Sequence, residues 1–187
     1  MRLGIGMDCA GASDGELIEK AAKAAHDYDK AYMGCCRCTL AALQETLGLG
    51  DGGALRASFP LSGGIARMGE TCGALVGALM AAGLAAGSDR LDDRKAYDEC
   101  MALGREIYER FKEEHGTTLC YGIQERLFGR HFDLKKPEEA EAWRRAGGRE
   151  KCPLVCASAA RIAADVILRF RASKGMAQGA PSQTRSS

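Results

Sequence analysis

The chain has 187 residues, with 26 Lys and Arg against 25 Asp and Glu and a formal charge of +1, which suits one domain with its own core. The charge is spread without a basic block, which excludes the electrostatic footprint expected of a nucleic-acid binder. Residues Met1 to Asp8 lack the apolar stretch of a signal peptide, and no run of about 18 apolar residues free of charge and glycine occurs, so a cytoplasmic protein off the membrane is expected.

Periodicity predicts helices nearly throughout. Ser13 and Glu16 have capping-box spacing, and Leu17, Ile18, Ala21, Ala25 and Tyr28 repeat every three or four positions, which predicts a helix over about 14–31. A second is predicted over about 35–47, where Leu40, Leu43 and Leu47 share a face and Gly48 supplies the stop. A glycine-rich turn follows, then one short helical turn over about 54–59, ended by Pro60 because a proline disfavours helical geometry in the residue before it. A third helix is predicted over about 64–86 and, being apolar on most sides, is expected at the centre.

Gly69, Gly73, Gly77 and Ala81 recur along that third helix every four residues. A glycine inside a helix costs about 1 kcal/mol relative to alanine, so something should offset three of them. Close approach of another backbone or a cofactor is the expected compensation, which makes Gly69, Gly73 and Gly77 candidate cofactor-binding residues. A fourth helix is predicted over about 91–115 and ended by Gly116. A short one is predicted over about 118–128, and a charged one over about 137–146 that Gly147 and Gly148 break. A last helix is expected to start near Pro153, whose fixed φ suits a first helical position. The expected fold is all-α, a compact bundle of about six to seven helices around the glycine-rich one. It forms a single domain over 1–172, with a disordered tail over 173–187.

Nine cysteines (Cys9, Cys35, Cys36, Cys38, Cys72, Cys100, Cys120, Cys152 and Cys156) are too many to dismiss. In a reducing compartment they are not expected to form a disulfide scaffold. Any one of them could pack as a small buried hydrophobe, a reading that does not easily cover all nine. Cys35, Cys36 and Cys38 crowd the start of the second helix, where Cys35 and Cys38 share a face. Thr39 follows where c-type haem attachment needs His, and no strand precedes the pair as a thioredoxin-like site requires. Cys72 lies within the glycine-striped helix. Cys152 precedes Pro153 at an expected N-cap, where free N–H groups and the helix dipole favour a thiolate. Cys156, one turn on, reads as a second ligand or as core. Paired zinc-ribbon spacings are absent, and His26, His115 and His131 lack metal-type spacing and are expected at the surface. No Ser-His-Asp set or phosphate loop is convincing.

Cys35, then Cys72-Gly73-Ala74-Leu75-Val76-Gly77, then Cys120 and Cys152 form a series. It resembles the family of redox-active proteins named for its Cys, Gly-Cys-Ala-x-x-Gly, Cys, Cys pattern. The resemblance spans about 31–168 and includes the stretches Ala42 to Leu49 and Gly63 to Glu70. It implies a helical domain with four functional cysteines and a redox role. A related domain in split-Soret cytochromes accompanies iron-sulfur binding, which would make Cys35, Cys72, Cys120 and Cys152 ligands of a cluster. Cys36, Cys38 and Cys156 are potential substitutes. The cytochrome's haem motifs are missing, so the resemblance implies an external electron-transfer partner. Soft thiolates suit iron-sulfur or zinc, and three readings stand: an iron-sulfur electron carrier or redox sensor, a metal-free thiol-disulfide protein, and a structural zinc module. The glycine stripe could equally serve a homodimer.

Overall fold

The computed structural model describes residues 11–50 and 52–176. The N-terminal segment with Cys9, and most of the tail expected to be disordered, lie outside the described residues. Among those residues there are eight α-helices and no strand, so the fold is the expected all-α bundle. The helices are α1 (Asp14–Tyr32), α2 (Cys35–Leu47), α3 (Gly52–Ala57), α4 (Gly73–Ala86), α5 (Arg94–His115), α6 (Cys120–Phe128), α7 (Pro137–Arg145) and α8 (Gly148–Ser173).

Local chemistry explains most of the boundaries. α1 opens with a full capping box, in which the Glu16 amide donates to Ser13 Oγ and the Ser13 amide to Glu16 Oε2 at 2.7 Å. Gly48 and Gly116 end α2 and α5 in the left-handed conformation. α4 is apolar all round and packs on α2, α5 and α8, while α8 packs on α1, α2, α4, α5 and α7. Leu40, Leu43, Leu75, Ile107, Phe111 and Ile167 are fully buried between them. Arg171, buried near the end of α8, donates to the Leu47 carbonyl at 2.7 Å and so satisfies an open carbonyl at the end of α2. No helix among the described residues is long and apolar enough to cross a membrane.

Three boundaries differ from the sequence expectation, and each difference matters for the site. The third helix starts at Gly73 and not near 64. The preceding residues make a left-handed turn, with φ of 68° at Gly63, 70° at Gly64, 59° at Ile65, 49° at Ala66 and 64° at Arg67. The turn is held by bonds from the Ala66 amide to the Pro60 carbonyl (2.7 Å) and from the Glu70 amide to the Gly64 carbonyl (3.0 Å). Two glycines enter the left-handed region freely, whereas Ile65, Ala66 and Arg67 follow at a cost of about 1–2 kcal/mol each. Gly69 therefore lies outside the helix, and only Gly73, Gly77 and Ala81 of the stripe remain in it.

Pro60 sits inside a short 3-10 turn, Phe59–Leu61, and does not end a helix; α3 has already stopped at Ala57. The last helix starts at Gly148, not at Pro153, which is buried inside it. The proline ring removes the N–H that would reach the Arg149 carbonyl, and the well-packed surroundings of α8 hold the helix together across it.

Candidate cysteine site

Three helices begin at one place, each with a cysteine at its first turn. Cys35 is the first residue of α2, Cys72 is the N-cap of α4 and Cys120 is the first residue of α6. None of the three starts has a side-chain cap, unlike α1 and α5. Their dipoles favour negative charge where the sulfurs lie.

The starts of α4 and α6 are joined by a single antiparallel bridge between Thr71 and Leu119. The Cys72 amide donates to the Thr118 carbonyl at 2.8 Å, the Cys120 amide to Glu70 at 2.6 Å and the Tyr121 amide to Gly69 at 3.1 Å. Glycine makes this closeness feasible. A Cβ on Gly64 would stand 2.6 Å from Cys120 Cβ, one on Gly73 would stand 2.5 Å from Cys35 Sγ, and one on Gly69 would enter the Tyr121 ring. Gly77 faces the Cys36 carbonyl, so its missing side chain serves the crossing of α4 over α2.

Cys152 comes from the second turn of α8 and joins the same group. The expectation is thus reversed for two residues: Cys152 is inside its helix and not at an N-cap, and Cys72 is an N-cap and not inside its helix, while Cys35 begins its helix as expected. Burial pushes every one of these thiols up, Cys72 to about 12. Neighbouring thiolates add to the effect: Cys35 is acted on by Cys72 and Cys120, and Cys152 by Cys120 and Cys72. The amides of Ala74 and Leu75 face the Cys72 sulfur and that of Gly63 faces Cys35, and both oppose the rise. Gln124 Nε2 donates to Cys120 Sγ at 3.4 Å.

The remaining cysteines separate clearly. Cys156 is fully buried on the same face of α8 as Cys152 and is acted on by Cys35, Cys72 and Cys152, so it belongs to the group as well as to the core. Cys36 points into the core, where its thiol meets Met80 Sδ at 3.8 Å. Cys38 bonds the Met33 carbonyl at 3.7 Å and lines a different groove from Cys35, so the Cys-x-x-Cys spacing does not deliver two thiols to one site. Cys100 is half-buried on α5. His131 is exposed, but His115 is half-buried and bonds Ser158 Oγ at 2.9 Å, a correction to its expected surface position.

Cys35, Cys120 and Cys152 open onto a cavity of about 330 Å³ that Phe59, Arg67 and Arg144 also line. Two of its residues escaped the sequence reading. Asp29 is a buried carboxylate on α1; burial raises its pKa, opposed by the Cys156 thiol, Arg149 and the Gly34 amide. Nothing in sequence separates it from the solvated acids of α1. Trp143 of α7 is 8% exposed and no acceptor stands at hydrogen-bond geometry to its indole N–H.

Chemically the donor set is soft, four or five thiols with N–H groups around them, which fits iron-sulfur chemistry. Among the described residues, no three His, Cys, Asp or Glu side chains close up tightly enough to hold a single metal ion. The family described as "Putative redox-active protein (C_GCAxxG_C_C)" matches residues 33–166, a stretch containing Cys35, Cys72, Cys120, Cys152 and Cys156. No curated protein and no solved structure matches the chain.

Proposed function

The chain belongs to the C_GCAxxG_C_C family of redox-active proteins, and from that premise we propose that it binds an iron-sulfur cluster through Cys35, Cys72, Cys120 and Cys152 and carries electrons or senses redox state with it. The observation that carries this reading is the meeting of four thiols from four helices, three of them at helix starts, beside one cavity. The cluster supplies reversible one-electron chemistry when bound.

The protein's own contribution is electrostatic. The amides of Ala74 and Leu75 in the first turn of α4 face the Cys72 sulfur and the Gly63 amide faces Cys35, and they offset the negative charge of thiolate ligands. Gly64 and Gly73 let the cysteine-bearing segments approach one another closely. Cys72 is buried while Cys35, Cys120 and Cys152 are partly buried beside the cavity, and this limited access of water biases the potential.

The two other readings fit less well. Burial holds the thiols in their protonated form, which makes them weak nucleophiles for metal-free disulfide exchange. A structural zinc needs its ligands around a single ion, tighter than the described residues stand.

The test is anaerobic purification, followed by a visible spectrum and iron, sulfide and zinc analysis of the same sample. Iron with acid-labile sulfide and broad visible absorption is expected, and Cys72→Ser should lose it. Zinc without colour, or no metal with reversible disulfides, would replace this reading by one of the other two.

A further inference from the structure

We propose that the indole N–H of Trp143 is a hydrogen-bond donor to the sulfur of the group held at the cysteine site, and that it raises the reduction potential of that group. The inference rests on the cluster reading above and names a residue that tunes it.

Trp143 is the sole tryptophan of the chain. It is 8% exposed and lines the cavity that Cys35, Cys120 and Cys152 open onto. A buried indole normally has a partner for its N–H, but no acceptor stands at hydrogen-bond geometry to this one. Its position is built: the ring lies against Gly148 at the start of α8, where a side chain would overlap it. Trp143 and Cys152 line the same cavity.

Other donors around the cavity are already engaged. Gln124 serves Cys120 and accepts from the Phe132 amide at 2.9 Å, Arg67 reaches the Leu134 carbonyl at 3.4 Å, Arg149 the Lys30 carbonyl, and Arg144 pairs with Glu141. Ser62 is the second cavity residue whose side-chain oxygen is buried without a partner. Two buried donors without acceptors beside a set of thiols point to a sulfur-bearing occupant that accepts from them.

The effect on potential follows from charge. Reduction adds one electron from an external one-electron donor; no bond is made or broken and the proton stays on the indole nitrogen. The sulfurs become more negative, the N–H···S bond strengthens, and the reduced form is stabilised relative to the oxidised form. Removing the donor therefore lowers the potential.

The experiment is an anaerobic dye-mediated redox titration of the cluster-loaded full chain, with iron and sulfide measured on every sample. Wild type is compared with Trp143→Phe, with the sole Trp replaced by 3-benzothienylalanine, and with Ser62→Ala. The benzothienyl ring keeps the shape of indole and substitutes sulfur for the N–H, so it still reads the inference if Trp143→Phe packs poorly and loses the cluster. A midpoint below that of wild type is expected for both Trp replacements, with a smaller drop for Ser62→Ala. A benzothienyl protein that holds the cluster and keeps the wild-type midpoint would overturn the inference and leave the cluster reading intact. A wild-type protein without iron or sulfide would overturn both.

Discussion

At the scale of single residues, the site is governed by where a side chain is absent. Gly73 begins α4 with Cys35 Sγ and the Leu61 carbonyl within 2.5 and 2.9 Å of where a Cβ would stand. Gly73→Ala should therefore destabilise the fold by roughly 1–3 kcal/mol through overpacking and lower the iron content with it. Gly83, also in α4, has nothing within 4 Å of an added Cβ. Gly83→Ala should instead stabilise by about 0.5–1 kcal/mol because it only removes backbone freedom from the unfolded chain. Urea melts of the two variants check the contrast. His115 adds a pH dependence. Burial lowers its pKa from the ordinary 6.5, with Glu114 opposing and Arg126 assisting. Below about pH 6.5 the unfolded chain binds a proton that the folded one resists, so stability present above that pH is lost as pH falls. His115→Gln should shrink the loss of urea midpoint between about pH 7 and pH 5.5.

At the scale of elements, the left-handed turn over 63–67 sets the geometry of the site. It aims the Gly63 amide at Cys35 and brings Gly64 against Cys120. Its three non-glycine residues are strained, and Ala66 is exposed. Ala66→Gly should raise stability by up to about 1 kcal/mol, since a left-handed penalty of about 1–2 kcal/mol exceeds the entropy cost of glycine. Thermal melting measures it, and a loss of stability would show that Ala66 is not strained. The turn was not legible in the sequence because the apolar pattern of Ile65 and Ala66 continues that of α4, and hydrophobic periodicity carries no information on the sign of φ. Pro153 misled in the opposite direction. Its preference for a first turn is real, but buried packing along α8 outweighs the one hydrogen bond that it removes.

At the scale of the molecule, the four proposed ligands come from α2, α4, α6 and α8, so ligand binding and global stability are coupled. A group bound by the folded chain alone stabilises it by RT ln(1 + [L]/Kd), about 4 kcal/mol at a thousandfold excess over Kd. Stripping iron with a chelator under reducing conditions should lower the melting temperature of wild type by several degrees and leave that of Cys72→Ser unchanged. Equal shifts in both proteins would mean that iron is held elsewhere. The core does not depend on the site in the same way. Phe111 is fully buried between α5 and its neighbours, and Phe111→Ala should cost about 3–5 kcal/mol with or without iron, as denaturant melts of both forms would show.

The sequence by itself determined the helical class and most helix ends, because capping residues, terminal glycines and apolar periodicity act over a few neighbouring positions, whereas the choice of four cysteines came from the family resemblance alone. Ser13 with Glu16, Gly48 and Gly116 each act where their spacing predicts. Only the tertiary structure decided which thiols meet. Cys35, Cys36 and Cys38 lie within four residues of the chain, yet a rotation of about 100° per helical residue sends Cys35 to the site, Cys36 to Met80 and Cys38 to another groove. The same holds for Asp29 and Trp143, whose burial beside the cysteines comes from the packing of α1 and α7 against α8. Such contacts join residues far apart in the chain, and no local pattern of spacing encodes them.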